Sequence, residues 1–239
     1  RMLWNLSGLA GMDVEGAGLL AVAAAQACNE RKDIMACGLS APLRNAFKLT
    51  GMNDAVSIYD NEKDALCCRE FIEKSGLTWG SAAGNPGTAL PGWASPVECL
   101  ALKNIPAAAV NINVAGRRLS GPLQGFGRLW EKRYRLALAE TDLTCEEIIA
   151  LWRAEFASFW PKGNLLYPSG NAAIEPGTVA LLNLAMPGGL ILATGLMVIA
   201  ADERSFSFMT AQGHILSGWI TFSCFRAGNT VMLEVHPLF

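Results

Sequence analysis

Histidine is almost missing from this chain: only His214 and His236 occur among 239 residues. The seven cysteines form no CxxC pair, and Cys67 and Cys68 are adjacent, so no zinc-ligand spacing is present. A reduced, cytoplasmic setting without a structural metal or other cofactor is the expectation. Charge of one sign is also lacking. With a formal net charge of -2 there is no general electrostatic pull toward nucleic acid or an anionic membrane. Arg1 leads straight into a strand-like segment, with no basic-then-apolar leader, and is read as other than a natural start.

Apolar residues are abundant at 51%, enough for a sizeable core in one large or two ordinary domains. The run from Val179 to Ala201 has the length of a membrane span. Pro187-Gly188-Gly189 at its centre breaks a helix and suits a turn, and each flank has strand length. A buried hairpin is therefore expected, with no membrane span.

Residues 1–74 alternate strand and helix. Met2–Leu6, Ile34–Cys37 and Val56–Tyr59 read as short strands. Asp13 caps a helix whose inward face is expected to carry Leu19, Leu20, Ala23, Ala24, Ala27 and Cys28. Ser40 and Pro42 start a second helix that Gly51 stops, and Asn61–Lys74 forms a third with Leu66 and Phe71 inward. Strands separated by helices imply a parallel or mixed α/β sheet. Residues 75–121 accumulate glycine and proline and read as a linker, with a short strand at Ala108–Val114.

From 122 to 239 the pattern becomes α+β. Arg128–Leu138 alternates, with Trp130, Tyr134, Leu136 and Leu138 on one face. Thr144-Cys145-Glu146-Glu147 is a capping box opening a helix that Pro161-Lys162-Gly163-Asn164 ends. Strands follow at Val179–Met186, Leu190–Ala200, Ser205–Thr210, Gly218–Phe225 and Val231–Val235. Successive strands joined by tight turns imply an antiparallel sheet with a packed helix.

The segment "LWNLSGLAGMDVEGAGLLAVAAAQA", followed by "DIMACGLSAPLRNAFKLTGMNDAVSIYDNEKDAL", resembles the later part of a STAS domain, the fold of anti-sigma factor antagonists. The resemblance implies that the family's first strands precede residue 1. It also implies that the turn Asp13, Val14, Glu15, Gly16 sits where the antagonists carry a serine phosphorylated by a partner kinase. A helix start suits an anion there. Val14 has no hydroxyl, so phosphorylation at this turn is impossible. Three readings stay open: a helix cap, docking of an anti-sigma-type or other regulatory protein without phosphate control, or Glu15 as a fixed partial mimic of phosphate.

The second part is similar to the START-like, or SRPBCC, superfamily. The resemblance rests on "GPLQGFGRLWEKRYRL", "FWPKGN", "ALLNLAMPGG" and "MTAQGHILSGWITFS", as in uncharacterised bacterial proteins. It implies a cavity for an apolar ligand, and a final strand and closing helix that are expected to lie beyond Phe239. Trp130, Tyr134, Trp152, Trp160, Trp219 and Phe225 are the candidate lining residues, against the alternative that they fill the core.

His214, between Gly213 and a strand, is the one weak candidate for a general base, with no carboxylate pair or nucleophile elbow beside it. "GPLQGFG" precedes a strand and lacks a following Lys-Ser/Thr, so it fails as a phosphate loop. Arg117, Arg118, Arg128, Lys132, Arg133 and Arg135 read as a solvated face, and Cys67-Cys68 as helix packing.

The chain is thus expected to join a STAS-like module that docks a protein to a START-like module that binds or senses an apolar small molecule. A cyclase or hydrolase working through His214, and a purely structural scaffold, are the alternatives.

Overall fold

The computed structural model describes residues 2–66, 89–102, 114–139, 141–160, 164–167 and 174–239. The expected strand at 108–113, the helix beyond residue 66 with Phe71, the Cys67-Cys68 pair and the stop at 161–163 lie outside the described residues. The chain divides into two compact units, Arg1–Pro91 and Gly92–Phe239.

In the first unit, β1 (Met2–Asn5), β2 (Ile34–Cys37) and β3 (Ser57–Tyr59) form a parallel sheet in that order. Between them run α1 (Val14–Asn29) and α2 (Ala41–Thr50), and α3 is described over 62–66. Parallel neighbours need such crossovers, because a tight turn can only reverse the chain. α2 starts after Ser40 with proline in its first turn and ends on Gly51, whose φ of 73° is the left-handed cap geometry that glycine adopts at little cost.

The inward face of α1 differs from the expected one. Its buried residues are Val14, Ala17, Gly18, Ala21, Ala24 and Ala27, whereas Leu19 is 63% exposed and Cys28 lies at the surface. A stripe of small side chains lets a helix axis approach its neighbour closely, so size rather than hydrophobicity selected the face. In α3 the buried residue is Ala65, and Leu66 is exposed. Asn61 Oδ1 accepts a hydrogen bond from Asp64 N at 2.9 Å and caps the helix start.

The second unit holds a seven-stranded antiparallel sheet. Its elements are β4 (Tyr134–Leu138), α4 (Cys145–Ala154), a 3-10 turn at Phe156–Phe159, β5 (Leu165–Tyr167), β6 (Val179–Ala185), β7 (Ile191–Ala201), β8 (Ser205–Thr210), β9 (Trp219–Ala227) and β10 (Thr230–Leu238). The spatial order is β4-β10-β9-β8-β7-β6-β5, so the last strand returns to pair with the first. Val179–Ala201 is the hairpin β6–β7 turning at Pro187–Gly189, and no helix among the described residues is long and apolar enough to cross a membrane.

Three features of this unit depart from the sequence reading. Regular pairing of the first strand begins at Tyr134 rather than Arg128, although Trp130 exchanges backbone hydrogen bonds with Phe239. β5 is a short strand in a stretch read as loop, and β6 supplies the hydrogen-bonding edge that extends it. Residues expected in the linker are attached to the sheet. Ala94 N donates to Ile199 O at 2.8 Å, Ala201 N to Gly92 O at 2.8 Å, and Ser120 N to Thr210 O at 2.9 Å. Glycine and proline break periodicity without preventing a chain from packing. Trp93, Leu100 and Val114 are buried there.

Candidate functional site

Strand alternation gives the second sheet two different faces. On one, Leu182, Leu196, Val198, Phe206, Phe208, Phe222, Cys224 and Val231 form a buried apolar cluster with Cys145, Ile148, Ile149 and Phe156 from α4 and the 3-10 turn. α4 is placed by its capping box. Glu147 N donates to Thr144 Oγ1 at 3.2 Å, and Thr144 N donates to Glu147 Oε2 at 2.8 Å. The Thr144 backbone N–H, and then its hydroxyl, both donating to Glu147 Oε2, hold the Glu147 carboxyl below the usual carboxylate range. Arg204 binds Glu146 at 2.7 Å and ties the helix start to the β7–β8 turn.

The cluster is aromatic at its centre. The Phe156 ring lies 5.1 Å from both Phe208 and Phe222, and Phe206 stacks on Phe222 at 5.0 Å. Trp152 meets Phe222 edge-on at 5.2 Å. From this core the same face continues along β10 and β4, where Leu136 stands opposite Leu233 and Tyr134 opposite Val235. Leu233 and Val235 are half-buried, whereas Leu136 is 60% and Tyr134 58% exposed. An apolar strip therefore runs from closed core to solvent on one face.

The six candidate aromatics do not come together. Trp152, Trp160 and Tyr134 belong to this strip; Trp160 tilts against Phe156 at 5.5 Å, and its buried Nε1 has no hydrogen-bond partner among the described residues. Trp219 and Phe225 lie on the opposite face, because odd positions of β9 alternate with the even positions that carry Phe222 and Cys224. Trp219 is buried there, and the Arg135 guanidinium lies 5.7 Å from the Phe225 ring centroid. Trp130 precedes β4 and is 56% exposed. The aromatics at the centre of the buried cluster, Phe156, Phe206, Phe208 and Phe222, were not among the candidates. The alternation in "SFSFMT" was the available signal for two of them.

His214 is a turn residue. Its Nδ1 accepts from Leu216 N at 3.0 Å, burial pushes its pKa down, and no carboxylate is hydrogen-bonded to it among the described residues. Arg133, just before β4, and Arg135, within it, are more than a solvated face. Arg133 donates to Glu234 at 3.2 Å and Arg135 donates to the same carboxylate, which is 6% exposed. Glu131 Oε1 binds both Arg133, at 3.0 Å, and His236 Nε2, at 3.0 Å. The Arg133 hydrogen bond holds the Glu131 carboxyl low, against a smaller opposing effect of burial. Burying Glu234 requires such partners, since an unpaired charge there would be far more costly.

In the first unit, Asp13 Oδ1 accepts from Gly16 N at 2.8 Å and caps α1, Val14 is buried, and Glu15 is exposed. Among the described residues no group of three or more His, Cys, Asp or Glu is placed to hold a metal ion.

No family model matches the chain, and no curated protein matches it. Among solved structures it is similar to protein Ms6760 from Mycobacterium smegmatis, at 13% identity over 46% of this chain and 71% of that one, with a TM-score of 0.34. It is similar to major latex-like protein 151 from Panax ginseng, at 14% identity over 47% and 79%, with a TM-score of 0.35. It is also similar to Ara h 8.0201, at 12% identity over 46% and 77%, with a TM-score of 0.31.

Proposed function

We propose that the second unit binds an apolar small molecule along the helix-bearing face of its sheet, as the START-like resemblance implies. The observation that carries this is the pair Tyr134 and Leu136, each more than half exposed on the face that holds the aromatic cluster. Large apolar side chains that continue a core into solvent cost free energy, and a ligand that covers them recovers it at about 25 cal/mol per Å². Leu233 and Val235, half-buried between that pair and the core, extend the apolar surface a ligand would cover.

The test is titration of the full chain with an environment-sensitive fatty-acid probe, using Tyr134→Asp and Leu136→Asp. Saturable binding that either substitution weakens about tenfold, with an unchanged melting temperature, supports the reading. Absence of saturable binding to the wild type removes it.

For the first unit the reading is protein docking by a STAS-like module at the start of α1. Its support is exposed Glu15 followed one turn later by exposed Leu19; buried Val14 and the Asp13 cap serve the helix itself. A pull-down whose partner set is the same for wild type and Glu15→Lys would reduce the turn to a cap. The cytoplasmic setting belongs to the same proposal, and the free cysteines Cys28, Cys37, Cys99, Cys145 and Cys224 are its support.

A further inference from the structure

The β6–β7 hairpin ends in an outward apolar tip. Every residue from Ala185 to Ile191 is exposed, including Leu190 at 69%, Ile191 at 58% and Met186 at 39%. No charged residue occurs from Pro176 to Ala201. Met186 N donates to Leu190 O at 2.8 Å and closes the turn. Gly188 and Gly189 have φ of 80° and 76°, and a Cβ added to either would meet nothing within 4 Å among the described residues. Asn164 Oδ1 accepts from Ala185 N at 2.8 Å, which ties the chain following the 3-10 turn to the base of the tip. Phe159, at the end of that turn, is 67% exposed.

We propose that this tip is a membrane-surface anchor, seating Met186, Leu190 and Ile191 in the headgroup boundary of a bilayer. Its shape and chemistry select that occupant. A stable protein interface needs about 800 Å² from each partner, far more than one hairpin turn offers. Insertion into a fluid boundary needs no complementary surface, only apolar side chains free of charge. The turn exposes peptide groups whose burial in hydrocarbon is costly, so the anchor stops about 5–10 Å into the boundary and does not span. With no basic residue on the tip, attraction comes from apolar burial rather than anionic lipid, and binding is insensitive to salt. This surface is separate from the Tyr134–Leu136 strip, and the inference does not depend on the ligand reading.

The experiment is co-flotation of the full chain with phosphatidylcholine vesicles at low and high sodium chloride, for wild type, Leu190→Asp/Ile191→Asp and Met186→Ser/Leu190→Ser. Exposed tip positions leave the core untouched, and circular dichroism verifies the fold of each variant. The expected result is flotation that salt leaves unchanged and that the aspartate pair lowers by about tenfold or more, with the serine pair in between. The proposal is overturned if the wild type does not float or if folded aspartate variants float equally. Binding that collapses in salt overturns it by locating the attraction elsewhere. A wild-type dimer that the aspartate pair abolishes, without flotation, overturns it in favour of a second copy of this chain.

Discussion

Gly195 in β7 lies directly beneath Val114: a Cβ built on the glycine would stand 2.9 Å from Val114 Cγ2 and closer still to Cγ1. Val114 is fully buried, packed onto the sheet face opposite α4. Gly195→Ala is expected to lower stability by about 1–3 kcal/mol through overpacking. Adding Val114→Ala should recover most of that loss by making room. Chemical denaturation of the two single variants and the double variant checks this, and strictly additive losses would contradict the contact.

Phe156 is the ring through which the 3-10 turn meets Phe206, Phe208 and Phe222. It is 4% exposed, so Phe156→Ala removes a large buried side chain and leaves a cavity. A loss of about 3–5 kcal/mol is expected. The more informative readout is tryptophan fluorescence, because Trp160 lies 5.5 Å from this ring and should change its emission before global unfolding.

Acid should act on the face opposite α4. Glu131 is held low by hydrogen bonding to Arg133, with His236 adding to the effect. A carboxyl whose folded pKa is depressed contributes stability that is fully present above its unfolded value of about 4.3 and is lost as pH falls through the folded value. Glu131→Gln should therefore lower the melting temperature at about pH 6, and the difference from wild type should shrink toward about pH 3. A difference that stays constant over this range would assign the effect to packing.

Thiol reactivity should divide by burial. Burial, followed by contact with the Cys145 thiol, pushes Cys224 up to about 12. Both residues are nearly inaccessible, whereas Cys28 and Cys99 are exposed. At about pH 8 a maleimide should label Cys28 and Cys99 within the time that leaves Cys145 and Cys224 intact, and peptide mapping by mass spectrometry checks the order. Labelling of Cys224 in the native protein would show that α4 opens from β9.

Local signals were legible where a short stretch contains its own cause. The Asp13 cap, the Gly51 stop, the Thr144–Glu147 capping box and the Pro187–Gly189 turn are each decided within a few residues by backbone geometry and nearby donors. The alternation of strand and helix in the first unit, and the run of hairpins in the second, follow from those signals. By itself, then, the sequence determined the parallel and antiparallel halves, and it ruled out phosphate on the Val14 turn. Tertiary structure decided what faces what. Trp219 and Phe225 fall on one side of β9 and Phe222 on the other because the side-chain period is two, and nothing local says which parity meets α4. Likewise, Trp93, Val114 and Glu234 are buried only because distant strands and charges supply the partners that make burial favourable. Capping and turn formation are short-range equilibria written in neighbouring residues, whereas burial is a property of surfaces that meet only after the chain has folded.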